Sequence, residues 1–207
     1  MRSINIALAA VILGLLASPA QANQRASDLP IATAAATSGE ARPPIGYIGY
    51  CVRYPGECTG HSTDRPVKLD QAAWALLKRV NDEVNRRIQP VTDKDHWGVA
   101  ERWDLPSDGK GDCEDLQLLK RKLLMDAGMP RQTLLMTVVR DTHGEGHAVL
   151  MVRTDRGDMI LDSRTSTIKP WQKTSYKFIK RQSQDNQNNW VYFGDGTDSL
   201  TTASQAR

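Results

Sequence analysis

A cysteine stands among carboxylates in the stretch GKGDCEDLQLLKRKLLMDAG, residues 109–128: Asp112 precedes Cys113, and Glu114 and Asp115 follow it. The thiolate is the nucleophilic form of cysteine, and negative neighbours disfavour it. Two features work the other way. Leu116, Leu119, Leu123 and Leu124 keep helical spacing and Gly128 and Pro130 close the stretch, which predicts a helix from about Asp112 to Ala127. Cys113 then lies in the first turn, where free N–H groups and the macrodipole favour an anion. Consecutive helical residues also project in different directions, so Cys113 can face a cleft while its acidic neighbours face elsewhere.

A thiol nucleophile needs a base. Of His61, His96, His143 and His147, the last opens an apolar strand, HAVLMVR, behind the glycine-rich DTHGEG. TDRG joins that strand to DMILDSR as a tight hairpin. Pairing Thr154 with Gly157 sets Val149 opposite Asp162 and brings Asp162 diagonally next to His147 on one face; a slip of one residue would part them. Asp162 follows Met159–Leu161 in an apolar strand, where a carboxylate needs a partner. Cys113, His147 and Asp162 thus fit the roles of nucleophile, base and orienting acid. His143, Glu145 and His147 could instead join Cys113 in a transition-metal site, but HGEGH lacks the helical H-E-x-x-H spacing.

The elements that must position these residues are legible in outline. LDQAAWALLKRVNDEVNRRI predicts a helix: Asp70 can cap it, Ala73, Leu77, Val80, Val84 and Ile88 share one face, and Pro90 ends it. Strands are expected at 133–139, 147–153, 158–164 and 190–193. Residues 91–110 read as a long loop, and long loops in compact domains tend to carry function. Trp97 and Trp103 within it either line the substrate cleft or sit in the core. An oxyanion hole would combine the Cys113 N–H with a donor from residues 97–111.

Composition and cysteine usage bound the setting. MRSINIALAAVILGLLASPAQA has a basic start, a short apolar run and an A-x-A end, the pattern of a secretory signal peptide over residues 1–22. A flexible leader is expected over 23–42, one domain over 43–195 and a frayed polar tail over 196–207. The net charge of +3 is scattered, and with no basic stripe a nucleic-acid partner is not expected. Exported proteins oxidise their cysteines in pairs, and CVRYPGEC can turn back on itself, so Cys51 and Cys58 are expected to be bridged. Cys113 is the odd thiol, either buried or used.

GDCEDLQLLKRKLLMDAGMP followed by GHAVLMVRTDRGDMILDS resembles the bacterial transglutaminase-like cysteine peptidases, with CVRYPGEC, NRRIQP and DHWGVAERWDLPSDGKGDCED fitting the same pattern over about residues 46–194. That family includes periplasmic proteases that cut large biofilm adhesins from the cell surface. The resemblance implies an α+β fold with a papain-like, transglutaminase-type core, the cysteine helix and other N-terminal helices packed on an antiparallel sheet. It implies Cys113, His147 and Asp162 as the catalytic set and a periplasmic cysteine endopeptidase acting on a protein substrate, an adhesin among the candidates. It further implies calcium held by Asp112, Glu114 and Asp115 through oxygen ligands, and an inner-membrane receptor that sequesters the enzyme. The bland account of those acids is helix-dipole complementarity. Acyl transfer to an amine, a transglutaminase reaction, would use the same three residues, and a calcium-dependent binding module without catalysis is the alternative from another class.

Overall fold

The computed structural model describes residues 28–59 and 66–194; the expected signal peptide, His61 and the expected tail lie outside the described residues. In chain order the elements are β1 (Thr37–Ala41), α1 (Ile45–Arg53), α2 (Pro55–Cys58), α3 (Gln71–Arg87), β2 (Gln89–Pro90), α4 (Asp93–Trp97), β3 (Lys110–Gly111), α5 (Cys113–Asp126), β4 (Leu134–Arg140), β5 (Gly146–Thr154), β6 (Gly157–Leu161), β7 (Lys169–Pro170), β8 (Lys177–Gln182) and β9 (Trp190–Phe193). Seven strands form one sheet in the order β1-β9-β8-β4-β5-β6-β7, each pair antiparallel, while β2 and β3 pair in parallel beside it. The fold is α+β, as expected, and no helix of the described residues is long and apolar enough to cross a membrane.

The two main helices follow their sequence signals. The Asp70 side chain accepts the Ala73 N–H at 2.9 Å and starts α3, whose Leu77, Val80 and Val84 are buried. Helix α5 ends where Gly128 turns left-handed at φ 91° and the Met129 N–H returns to the Leu124 carbonyl at 2.9 Å. Leu134, Met136 and Val138 of β4, with Leu150 and Val152 of β5, pack under these helices. The alternate residues Leu135, Val139, Val149 and Met151 face the other way, beneath Ala35, Trp171, Tyr176, Phe178 and Phe193. Both faces of the central strands are therefore covered, which is why these strands read as unbroken apolar runs.

Three segments depart from expectation. Residues 28–42 do not form a free leader: Thr37–Ala41 pairs with β9, the Ala32 N–H donates to the Arg156 carbonyl at 2.7 Å, and Leu29 and Ala35 are buried. TSGEA carries no apolar alternation, and its place in the sheet comes from backbone pairing at an edge. Residues 91–110 hold α4 and the first residue of β3 rather than an unbroken loop. Helix α1 escaped prediction altogether. It brings Tyr47 against Trp103 and Trp190, with ring centroids 5.7 and 5.4 Å away.

Trp103 is thereby a core residue, 2% exposed, and not a cleft residue; its indole N–H donates to Glu101 at 2.6 Å. Gly46 makes room for it, since a Cβ there would lie 2.2 Å from Trp103 Cδ1. Gly46→Ala should therefore cost about 1–3 kcal/mol through overpacking of a rigid buried indole, read as a lowered denaturation midpoint. An unchanged midpoint would mean that α1 slides without cost.

Candidate active site

The β5–β6 hairpin has the register expected of it, with Thr154 opposite Gly157 and Leu150 opposite Leu161. His147 and Asp162 meet just beyond the last pair, and Nε2 lies 2.8 Å from Asp162 Oδ1. Both are buried, at 3% and 4% exposure. Past the end of the same ladder the Ala148 N–H points at the Cys113 sulfur, 3.4 Å away. The start of α5 is thus seated on the start of β5, and Cys113 and His147 open into one cleft of about 520 Å³ that Asn85, Gly111, Ser163 and Arg164 also line.

Several residues hold the Asp162 segment, and sequence reasoning found none of them. Gln117, one turn after Cys113, brackets it with its amide oriented to suit its neighbours, donating to the Leu161 carbonyl at 3.3 Å and accepting the Ser163 N–H at 3.2 Å. Asn85 of α3 donates to the Asp162 carbonyl at 2.9 Å. The Arg164 N–H reaches Asp162 Oδ1 at 3.0 Å and the Tyr176 hydroxyl reaches Oδ2 at 2.5 Å. Burial would raise the Asp162 carboxyl, but the bonds from His147, Tyr176 and Arg164, together with the His147 charge, bring it down to about 2. Asn85 and Gln117 sit at helical spacing with core residues, but nothing local marks their partners.

The thiol has a different environment. Cys113 is half-buried and unbridged, and its sulfur lies 2.9 Å from Glu114 Oε2. Burial, then the Glu114 and Asp112 charges, push the thiol well up. The same crowding raises the acids. Burial and Asp93 bring Asp112 to about 7, burial and Asp112 raise Glu114, and burial and Asp112 bring Asp115 to about 9. Cys51 and Cys58 form the expected disulfide, with Cα atoms 5.5 Å apart.

The acidic residues regroup relative to expectation. Asp93, Asp112 and Glu114 each offer an oxygen within 4.8 Å of the others. Asp115 stands outside that group: its Oδ1 accepts the Asp104 N–H at 2.7 Å and its carboxyl packs on Gly111. The helix sends Asp115 toward the 97–111 segment, while α4, packed next to β3, supplies Asp93. The motif TDKD marks a helix start at Thr92, which accepts the Asp95 N–H at 3.1 Å, but not the long-range docking that buries Asp93. Both Asp112 oxygens and Glu114 Oε1 are buried without a hydrogen-bond partner. Unpaired buried carboxylate oxygens at this spacing suit a hard cation such as calcium. Trp97 is 41% exposed, packs tilted against His96 with ring centroids 4.0 Å apart and Arg102 over its ring, and does not line the Cys113–His147 cleft. Of the two places open to the tryptophans, cleft or core, Trp103 takes the core and Trp97 takes neither.

Residues 37–198 match the family described as bacterial transglutaminase-like cysteine proteinase. Calcium-bound LapG of Legionella pneumophila is similar in structure, with a TM-score of 0.51 and 25% identity over 66% of this chain and 78% of that one. A second structure of Legionella pneumophila LapG gives a TM-score of 0.49 and 26% identity over 61% of this chain and 69% of that one. No curated protein matches the chain.

Proposed function

Because the chain belongs to the bacterial transglutaminase-like cysteine proteinases and is a cysteine peptidase, we propose that it is a periplasmic endopeptidase with Cys113 as nucleophile, His147 as base and Asp162 as orienting acid. One observation carries the assignment: His147, held by Asp162 at 2.8 Å, lines the same cleft as the only unbridged cysteine among the described residues.

With Nε2 given to Asp162, His147 has Nδ1 left to take the thiol proton. The Cys113 sulfur attacks the scissile carbonyl carbon, and the oxyanion forms beside the free N–H groups at the start of α5. The tetrahedral intermediate collapses as the imidazolium protonates the leaving amine. A water, deprotonated by the same imidazole, then hydrolyses the thioester and restores the thiol. Asp162, held near 2, stays ionised throughout and favours the imidazolium.

Asp93, Asp112 and Glu114 fit calcium, and the calcium-bound state of the similar LapG structure supports extending that cation to this chain. When bound, calcium supplies positive charge beside the start of α5 and so offsets the carboxylates that otherwise raise the thiol. The signal-peptide pattern supports the periplasm as the site of action. A large surface adhesin as substrate and an inner-membrane receptor as the restraining partner extend the family likeness.

The test compares periplasmic and surface proteins from cells producing the wild-type chain or Cys113→Ala. Fragments with new N-termini should appear only with the wild type. Identical fragment sets in the two strains would overturn the proposal.

A further inference from the structure

A carboxylate that orients a histidine must itself be oriented. Rotation about the Cβ–Cγ bond of Asp162 would carry Oδ1 away from His147 Nε2; the Arg164 N–H holds Oδ1 at 3.0 Å, and an anchor on Oδ2 fixes the other end of the carboxylate. Tyr176, the residue before β8, supplies that anchor. Its hydroxyl donates to Oδ2 at 2.5 Å, and its ring lies 5.5 Å from the imidazole, tilted by 51°. An ionised carboxylate accepts hydrogen bonds and donates none, so the direction of the bond is settled. Tyr176 reaches the site from the sheet face opposite the helices, where its ring joins the Phe178 and Phe193 cluster. The cysteine helix and Tyr176 therefore approach the His147–Asp162 pair from separate layers of the fold.

Filling that cluster would account for the ring but not for the hydroxyl. The hydroxyl also guards the pair. Asp162, Arg164 and Tyr176 line a second cavity of about 310 Å³ behind the catalytic residues, from which water could compete for Oδ2. We propose that Tyr176 is a positioning residue of the peptidase: its hydroxyl locks Asp162 so that Oδ1 meets His147 Nε2, and its ring flanks the imidazole and limits its tilt. The proposal rests on Cys113, His147 and Asp162 being the catalytic set.

The test uses the full chain with calcium present and p-nitrophenyl acetate as acyl donor. Tyr176→Phe keeps the ring and removes the hydroxyl. Its KM and melting temperature should stay near wild type while kcat falls about tenfold or more, the loss expected for a hydrogen bond to a charged group. A second readout needs no substrate. The far-downfield proton of the His147 Nε2–H, assigned by its disappearance in His147→Ala, should exchange faster with water in Tyr176→Phe. Wild-type kcat with an unchanged proton signal would overturn the proposal. So would a kcat loss matched by a fallen melting temperature in Tyr176→Phe, which marks a packing role alone. Cys113→Ala serves as the separate control: ester hydrolysis at the wild-type rate in that variant would remove the catalytic set itself, and Tyr176's role with it.

Discussion

Cys113→Ala abolishes peptide cleavage, by at least about 10⁴-fold in kcat/KM, and leaves the melting temperature near that of the parent. The chemical loss is large because no other cysteine among the described residues is free to attack: Cys51 and Cys58 are bridged. The structural loss is small because the residue is half-buried, carries no disulfide and is held through hydrogen bonds to Glu114 and the Ala148 N–H. His147→Ala loses nearly as much, since the thiol then has no base. Asp162→Asn retains more activity than either, roughly 10- to 100-fold above Cys113→Ala, because an orienting acid contributes less than a nucleophile. The measurement is kcat/KM on a peptide that the wild type cuts, with the new N-terminus sequenced. Wild-type turnover in Cys113→Ala would reject the mechanism. Wild-type turnover in Asp162→Asn would take Asp162 out of it and leave a Cys–His pair.

The pair His147–Asp162 was legible because a tight turn fixes register: once Thr154 and Gly157 are opposed, every later pairing on the hairpin follows. Helices α3 and α5 were legible from apolar spacing and from the cap and stop residues Asp70, Pro90 and Gly128. What stayed hidden depends on distant partners. In α1, the repeated IGYIGY mixes glycine with aromatics, and Tyr47 finds its place only when the fold brings Trp103 and Trp190 against it. β8 reads KFIKRQ, with Lys180, Arg181 and Gln182 buried, so no apolar alternation announces it. The Lys180 ammonium resolves its burial by donating to the Arg42 carbonyl at 2.8 Å, a contact spanning most of the chain. Trp103 looked equally suited to cleft and core until Gly46 offered it a seat. Asp93 and Tyr176 belong to the same class: each is ordinary in its own segment and acquires a role only when the fold brings it beside Asp112 or Asp162.

Calcium gives the second large effect, and its sign against pH separates a metal site from helix-start acids. In chelated protein Asp112 is raised to about 7, so the folded state holds its proton more tightly than the unfolded chain does. Folding stability must then fall as pH rises from about 4 to about 7, with Glu114 and Asp115 pulling the same way. A cation binds the ionised carboxylates, so with saturating calcium that loss is opposed and the melting temperature becomes nearly flat or rising over the same window. Activity should follow, falling on chelation and returning with calcium. Magnesium should restore it poorly, because it demands tight octahedral geometry and sheds water reluctantly. Asp112→Asn and Asp93→Asn should each blunt the calcium response, since both belong to the group whose oxygens lie within 4.8 Å. If the acids served only the helix dipole, each substitution would cost about 0.3–1 kcal/mol with no calcium dependence. Calorimetric titration of the chelated protein decides the matter: no binding heat up to about 1 mM calcium, with the same pH slope in its presence and absence, would leave the three carboxylates as strained structural acids beside the thiol.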